Sequence, residues 1–281
     1  MAPNKNNPSC GASHDSAPQE ADQKITRVLS GIRHKLLVMS GKGGVGKSSI
    51  SAALALGLAA KGYQVGLLDV DIHGPSLAGM MGVQGLLDLT ADQRVIPKVV
   101  NPHLKVVSMQ SLMQNRDQAV IWRGPAKSGV IRQFVGDVQW GNIDFLIIDA
   151  PPGTGDEPLS VAQTIPEALA VIVTTPQEVA LADVRKSINF CRTIQLAMLG
   201  LVENMGPFTC PCCGKSISLF KSGGGQTTAT QMEVPFLGSL PFDPNVVKVF
   251  DAGQPQRLQE NATGFVAALE TVIERILAAL K

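Results

Sequence analysis

Apolar residues fall along this chain in short, largely unalternated runs separated by longer stretches with helical spacing. Strands are predicted at Leu36–Ser40, Val65–Val70, Leu104–Met109, Phe145–Asp149, Ala168–Thr174, Ala197–Glu203 and Phe236–Leu240. Runs without polar alternation are the mark of strands covered on both faces. Helices are predicted between them at Ser48–Lys61, Ala126–Val138, Glu157–Thr164, Val179–Ile194 and Asn245–Phe250, with a short one at Ile25–Ile32 ahead of the first strand. Strands that alternate with helices imply βαβ units and a mainly parallel sheet. At the C-terminus Phe265, Ala268, Leu269, Val272, Ile273, Ile276 and Leu280 repeat at helical spacing. The polar face there is mixed (Glu270, Glu274, Arg275, Lys281), so packing on the sheet is expected rather than a membrane surface. Residues 1–24 are polar and aperiodic and are expected to form a disordered tail; 25–281 read as one domain.

Composition narrows the possibilities. With 281 residues and 44% hydrophobic content the chain can bury a full core, and 24 basic against 23 acidic residues give no electrostatic reason to expect nucleic acid. No apolar stretch reaches the roughly 18 residues that span a bilayer. Met1–Lys24 has no apolar segment of the signal-peptide kind, so no membrane partner and a cytoplasmic location are expected. The five cysteines are Cys10, Cys191, Cys210, Cys212 and Cys213. An odd number with three in four positions argues for reduced thiols or a metal site, not a disulfide framework.

The chemistry is densest just after the first strand. Gly41-Lys42-Gly43-Gly44-Val45-Gly46-Lys47-Ser48 satisfies G-x-x-x-x-G-K-[ST], and Ser49 follows it into an Ala/Leu-rich helix. Glycines let successive backbone N–H groups turn toward phosphate oxygens, and the helix N-terminus adds partial positive charge. Lys47 is expected to reach the β- and γ-phosphates, and the Ser48 hydroxyl to ligate Mg²⁺. A chance match in a chain of this length has a probability on the order of one per cent before the strand–loop–helix context is counted. Two further strands end in carboxylates: Asp69 and Asp71, two apart and so on one side of their strand, and Asp149 after Phe145-Leu146-Ile147-Ile148. Asp149 is expected to hold a Mg²⁺-bound water and Asp69 to contribute indirectly. The Gly/Pro-rich stretch Ala150–Asp156 suits a γ-phosphate-sensing loop. No N/T-K-x-D motif for guanine is present, which favours ATP.

Cys210-Pro211-Cys212-Cys213-Gly214-Lys215 contains a C-x-x-C pair, Cys210 and Cys213. Tetrahedral sites need four ligands. There is no second C-x-x-C, and His14, His34, His73 and His103 all lie far upstream. A symmetric dimer can supply both cysteines twice and close a four-thiolate site on its two-fold axis. Zinc and iron–sulfur both suit such a set.

Lys42, directly after the first glycine, gives the loop the deviant Walker A signature of MinD/ParA-like (SIMIBI) ATPases. Together with Asp69–Ser76, Arg123-Gly124-Pro125, Gln139-Trp140-Gly141, Asp149–Asp156, Glu203-Asn204-Met205, Cys210–Cys213, Gly223-Gly224-Gly225 and Pro241-Phe242-Asp243, it makes the chain resemble the Mrp-type iron–sulfur cluster carrier ATPases from about Arg33 onward. The resemblance implies a three-layer P-loop NTPase fold whose cysteine segment lies within 204–225. It implies that Lys42 acts across a dimer interface, that Asp71 orients the attacking water, and that Asn204, Pro241 and Asp243 flank the adenine. It further implies a [4Fe–4S] cluster shared by Cys210 and Cys213 of two subunits, delivered to apo iron–sulfur proteins, with slow basal ATP turnover. A zinc-bridged ATPase switch acting on a protein partner is the alternative. A MinD/ParA-like positioning protein is disfavoured, because neither a basic amphipathic C-terminal helix nor a basic run is present. Lone Cys10 does not make the four-cysteine N-terminal site of some family members, Cys212 is an added thiol, and Cys191 is expected in the core.

Overall fold

The computed structural model describes residues 16–71, 74–112, 124–210 and 212–281. In chain order the elements are α1 (Ser16–Ser30), β1 (Ile32–Ser40), α2 (Lys47–Ala60), β2 (Val65–Asp69), α3 (Leu77–Met80), β3 (Asp88–Leu89), β4 (Val95–Ile96), β5 (Lys98–Asn101), β6 (Leu104–Ser108), α4 (Gly124–Asp137), β7 (Ile143–Asp149), α5 (Asp156–Thr164), β8 (Leu169–Thr174), α6 (Glu178–Thr193), β9 (Met198–Gly206), β10 (Phe208–Thr209), β11 (Ser216–Ile217), α7 (Gly224–Gln231), β12 (Phe236–Pro241), α8 (Pro244–Asp251), α9 (Leu258–Asn261) and α10 (Thr263–Ala279). Eight strands form one sheet in the order β12-β9-β8-β1-β7-β2-β6-β5. Every pairing in it is parallel except that of the edge strand β5 with β6.

Two apolar cores lie on opposite faces of the sheet, which makes the domain three layers deep. Leu37 and Met39 of β1 and Leu146 and Ile148 of β7 face one core with side chains of α1, α4, α5, α6 and α7. Their neighbours Leu36, Val38, Phe145 and Ile147 face the other with α2, α3, α8, α9 and α10. Burial on both faces is why these strands carry no polar alternation. The expected C-terminal stripe buries Phe265, Leu269, Val272, Ile273 and Ile276 in the second core. Among the described residues no helix is long and apolar enough to cross a membrane.

The seven predicted strands and the predicted helices are all present, with ends moved by one to four residues. The N-terminal helix differs more. It is α1 and runs from Ser16 to Ser30, so it takes up residues 16–24 of the expected tail, while Ile32 already belongs to β1. Ile25, Val28 and Leu29 anchor it in the first core, and its continuation lies beside α4, where Asp22 pairs with Arg132 and Lys24 with Asp137. The rest of that stretch, with Cys10 and His14, lies outside the described residues, as do His73 and Arg123 of the family motifs. The edge strand β5, the hairpins β3–β4 and β10–β11, and helix α7 are additions to the sequence reading.

Candidate nucleotide and cysteine sites

The order β8-β1-β7-β2 brings the C-terminal ends of β1, β7 and β2 together at one end of the sheet. Asp69 and Asp149 are register partners on β2 and β7, so two fully buried carboxylates stand side by side beneath the loop after β1. The loop itself turns into α2 through Gly46, which is left-handed at φ 82°. A Cβ at that position would lie 2.3 Å from Asn204 Nδ2, so glycine is required on both backbone and steric grounds.

The charged groups of the loop satisfy one another. Lys47 Nζ lies 2.8 Å from Asp149 Oδ1, and both side chains are buried. Ser48 Oγ donates to Asp149 Oδ2 at 2.6 Å, and Ser51 Oγ donates to Oδ1 at 2.7 Å. Asp69 accepts from the Asp71 N–H at 3.1 Å, the Leu77 N–H at 3.3 Å and Ser108 Oγ at 2.9 Å. Ser51 and Ser108 were not singled out from the sequence. Each carries a retrospective signal: Ser51 sits one turn after Ser48 on α2, and Ser108 is the register partner of Asp69 on β6.

A hydroxyl and two carboxylates are hard oxygen donors of the kind Mg²⁺ takes, and Ser48 already touches Asp149. Ser48, Asp149 and Asp69 therefore fit the metal that accompanies a nucleoside triphosphate. Burial first and the neighbouring Asp149 second push the Asp69 carboxyl up from 3.8 to about 7, against the opposing pull of Ser108 and Lys47. An acid whose folded pKa exceeds its unfolded one keeps its proton longer in the native state. That contribution favours folding at low pH and is lost as pH rises from about 4 to about 7. Asp69→Asn is accordingly expected to gain stability relative to the unmodified protein as pH climbs through that window in Mg²⁺-free buffer. Thermal unfolding of the two proteins across pH checks it; a constant difference would contradict it.

Asp71 is buried just beyond β2, with Oδ1 accepting from the Gly74 N–H at 3.2 Å. The Gly/Pro-rich stretch after β7 is tied to the phosphate-loop strand by a bond from the Gly153 N–H to the Ser40 carbonyl at 2.8 Å. Lys42 is half-buried on the loop, its carbonyl accepting from Ser40 Oγ at 3.0 Å. On the far side, Asn204 Nδ2 donates to the Val45 carbonyl at 2.9 Å. Gly206 of β9 pairs with Pro241 of β12, which brings Asn204 close to the Pro241–Asp243 turn. Asp243 also caps α8 by accepting from the Asn245 N–H at 2.9 Å. The residues expected from the sequence for phosphate, metal and base thus gather at one end of the sheet.

The cysteine segment lies a few residues beyond β9, between the two strands of the β10–β11 hairpin. The Cys210 N–H donates to the Lys215 carbonyl and the Gly214 N–H to the Cys210 carbonyl, both at 2.9 Å. The neighbouring backbone amides of Cys212 and Cys213 draw the Cys210 thiol below its usual range. A lowered thiol pKa favours the thiolate, the form that ligates metal. Cys212 and Cys213 are exposed, whereas burial pushes the core Cys191 thiol up to about 11. Among the described residues no three His, Cys, Asp or Glu side chains converge on one metal-sized point.

Comparison with known proteins identifies the family. Residues 31–277 match the family described as NUBPL iron-transfer P-loop NTPase within the ParA group. An iron-sulfur cluster carrier protein of Saccharolobus solfataricus is 49% identical over 239 residues, covering 84% of this chain and 80% of its own. A cytosolic Fe-S cluster assembly factor NUBP1 homolog of Brugia malayi is 46% identical over 252 residues, covering 87% and 81%. Among solved structures, a nucleotide-binding protein of Archaeoglobus fulgidus in complex with ADP superposes with a TM-score of 0.75 at 38% identity, over 85% of this chain and 94% of that one. The cell-division ATPase MinD of Pyrococcus furiosus, at 24% identity and a TM-score of 0.66, shares the fold over 87% and 98%. On the strength of a match that runs through both the phosphate loop and the cysteine hairpin, this chain belongs to the NUBPL-type iron-transfer P-loop NTPases, a MinD/ParA-like ATPase family.

Proposed function

We propose that this ATPase is a carrier whose cargo is an iron–sulfur cluster, held between two subunits by Cys210 and Cys213 of each and passed to apo iron–sulfur proteins. The observation that carries the proposal is the C-x-x-C turn itself, closed by the Cys210–Lys215 and Gly214–Cys210 backbone bonds with Cys213 exposed, a few residues beyond the strand that touches the phosphate loop. Two thiolates from each of two subunits complete the four that a [4Fe–4S] cluster takes. Relatives named as cluster carrier and cluster assembly factor support the same cargo.

For the ATPase half, Lys47 exchanges Asp149 for the β- and γ-phosphates when nucleotide enters, because the phosphates carry more charge than one carboxylate. Ser48 and Asp149, with an indirect contribution from Asp69, would hold the Mg²⁺, which would supply charge neutralisation to the phosphates. Asp71 orients the water that attacks the γ-phosphorus. Lys42 reaches the nucleotide of the opposite subunit, so that ATP tightens the dimer. Asn204 and the Pro241–Asp243 turn flank the adenine.

Water positioning acts mainly in the transition state, so Asp71→Ala is expected to keep ATP affinity within about threefold while turnover falls on the order of 100-fold. Single-turnover hydrolysis beside equilibrium binding checks this, and an unchanged rate removes Asp71 from the mechanism. Anaerobic reconstitution with iron and sulfide tests the cargo. A broad visible sulfur-to-iron absorption supports the carrier, whereas colourless protein that retains zinc supports a zinc-bridged switch.

A further inference from the structure

Glu203 is a carboxylate buried in the sheet, and neither the phosphate chemistry nor the cysteines use it. It lies on β9, one residue before Asn204, and three donors converge on it. The Gly225 N–H lies 2.6 Å from Oε2, the Gly223 N–H 3.3 Å from Oε1, and Ser239 Oγ 2.9 Å from Oε1. Gly223–Gly225 is where the chain leaves the cysteine hairpin and enters α7. A Cβ at Gly225 would sit 2.9 Å from the Glu203 Cβ, so the turn is seated directly on this side chain.

The other end of the hairpin is tied to the nucleotide site as well. The Phe208 ring of β10 and the Phe220 ring both meet Phe242 edge-on, with centroids 6.2 and 6.3 Å apart. Phe242 belongs to the turn proposed to flank the adenine, and its N–H donates to the Gly206 carbonyl at 3.1 Å. Between Asn204 and Gly206, Met205 is left-handed at φ 58°, a conformation that non-glycine residues adopt only where their surroundings impose it. One side of this short segment thus holds the phosphate loop through Asn204 and Val45. The other holds the exit of the cysteine hairpin through Glu203.

We propose that Glu203 is the positioning residue that couples nucleotide occupancy of the phosphate loop to the presentation of Cys210 and Cys213. A nucleotide that draws Asn204 from the Val45 carbonyl, or presses on the Pro241–Asp243 turn, moves β9 at Glu203. The carboxylate, gripped by two amides of the α7 N-terminus, carries the shift to the base of the hairpin. A buried charge with three donors suits this role, because it cannot release its partners one at a time without exposing an unpaired group. The purpose of the coupling rests on the carrier reading; its test does not.

The test uses metal-free full-length protein and reads alkylation rates at Cys210 and Cys213 by site-resolved mass spectrometry, with and without saturating Mg–ADP or Mg–ATP. In the unmodified protein nucleotide is expected to change these rates about fivefold or more, the lower end of ordinary allosteric coupling. Glu203→Gln keeps the shape but removes the charge and turns an N–H toward a backbone donor. It is expected to reduce the nucleotide effect to less than about twofold, with nucleotide affinity held within about threefold. Loss of a capping carboxylate alone would alter the rates equally with and without nucleotide. Ser239→Ala, which removes one donor and leaves the charge, is expected to give an intermediate ratio and serves if the first variant does not fold. A Glu203→Gln protein that retains the full nucleotide effect, a Ser239→Ala protein with an unchanged ratio, or an unmodified protein with none, overturns the proposal. Protein that binds no cluster yet shows the Glu203-dependent ratio keeps this inference and loses the carrier reading.

Discussion

Lys47→Ala is expected to weaken ATP binding on the order of 100-fold and to destabilise the nucleotide-free protein by about 3 kcal/mol. The two effects have different origins. With nucleotide bound, the lysine is the proposed counter-charge to the β- and γ-phosphates, and a lost charged hydrogen bond of this kind costs on the order of 2–3 kcal/mol. Without nucleotide, Lys47 is a buried cation 2.8 Å from a buried Asp149. Removing one partner leaves the other uncompensated, although the hydroxyls of Ser48 and Ser51 still reach that carboxylate and moderate the loss. Isothermal binding and denaturant unfolding separate the two quantities. Wild-type affinity would displace Lys47 from the phosphate site, and unchanged stability would mean that its ion pair with Asp149 contributes nothing.

The double change Cys210→Ala, Cys213→Ala is expected to remove all iron and sulfide from reconstituted protein and to shift the nucleotide-free protein toward monomer. A cluster that binds only the dimer stabilises it by mass action, so its loss is a loss of dimer. Compared with unmodified protein that is likewise free of cluster, ATP affinity should stay within about twofold, because the hairpin cysteines do not touch the phosphate loop. Cys212→Ala is expected to keep the cluster, since the outer pair of the C-x-x-C turn supplies the ligands. Subunit mass measured anaerobically beside iron content, with and without ATP, checks all three proteins. A double variant with a full cluster, or a Cys212→Ala protein with none, contradicts the bridged site.

The sequence made the sheet legible because its strands are buried on both faces, and buried parallel strands read as uninterrupted apolar runs. The phosphate loop was legible because glycine and lysine at fixed spacing have few other uses, and Asp69, Asp71 and Asp149 because each follows such a run. Short antiparallel pieces such as β3–β4 and β10–β11 were not, since two-residue strands carry no periodicity. Helix α7 begins with Gly224 and Gly225, which locally read as a loop. It is held by an anion from β9, a partner about twenty residues away that no local pattern reveals. Helix α1 extends further than its apolar residues indicate for a related reason: Asp22 and Lys24 are polar and pair with Arg132 and Asp137 of α4, partners more than a hundred residues away. Ser51 and Ser108 matter because they reach carboxylates on other elements, information that lies in the packing of α2 on β7 and in the register of β6 with β2.

The most direct test of the carrier assignment is the iron and acid-labile sulfide content of the anaerobically reconstituted dimer, measured together with its mass and absorption spectrum. A [4Fe–4S] cluster bridged by Cys210 and Cys213 predicts about two iron and two sulfide per chain, in a dimeric fraction that loses both in the double cysteine variant. Colourless protein, zinc in place of iron, or a full cluster on a monomer would contradict it.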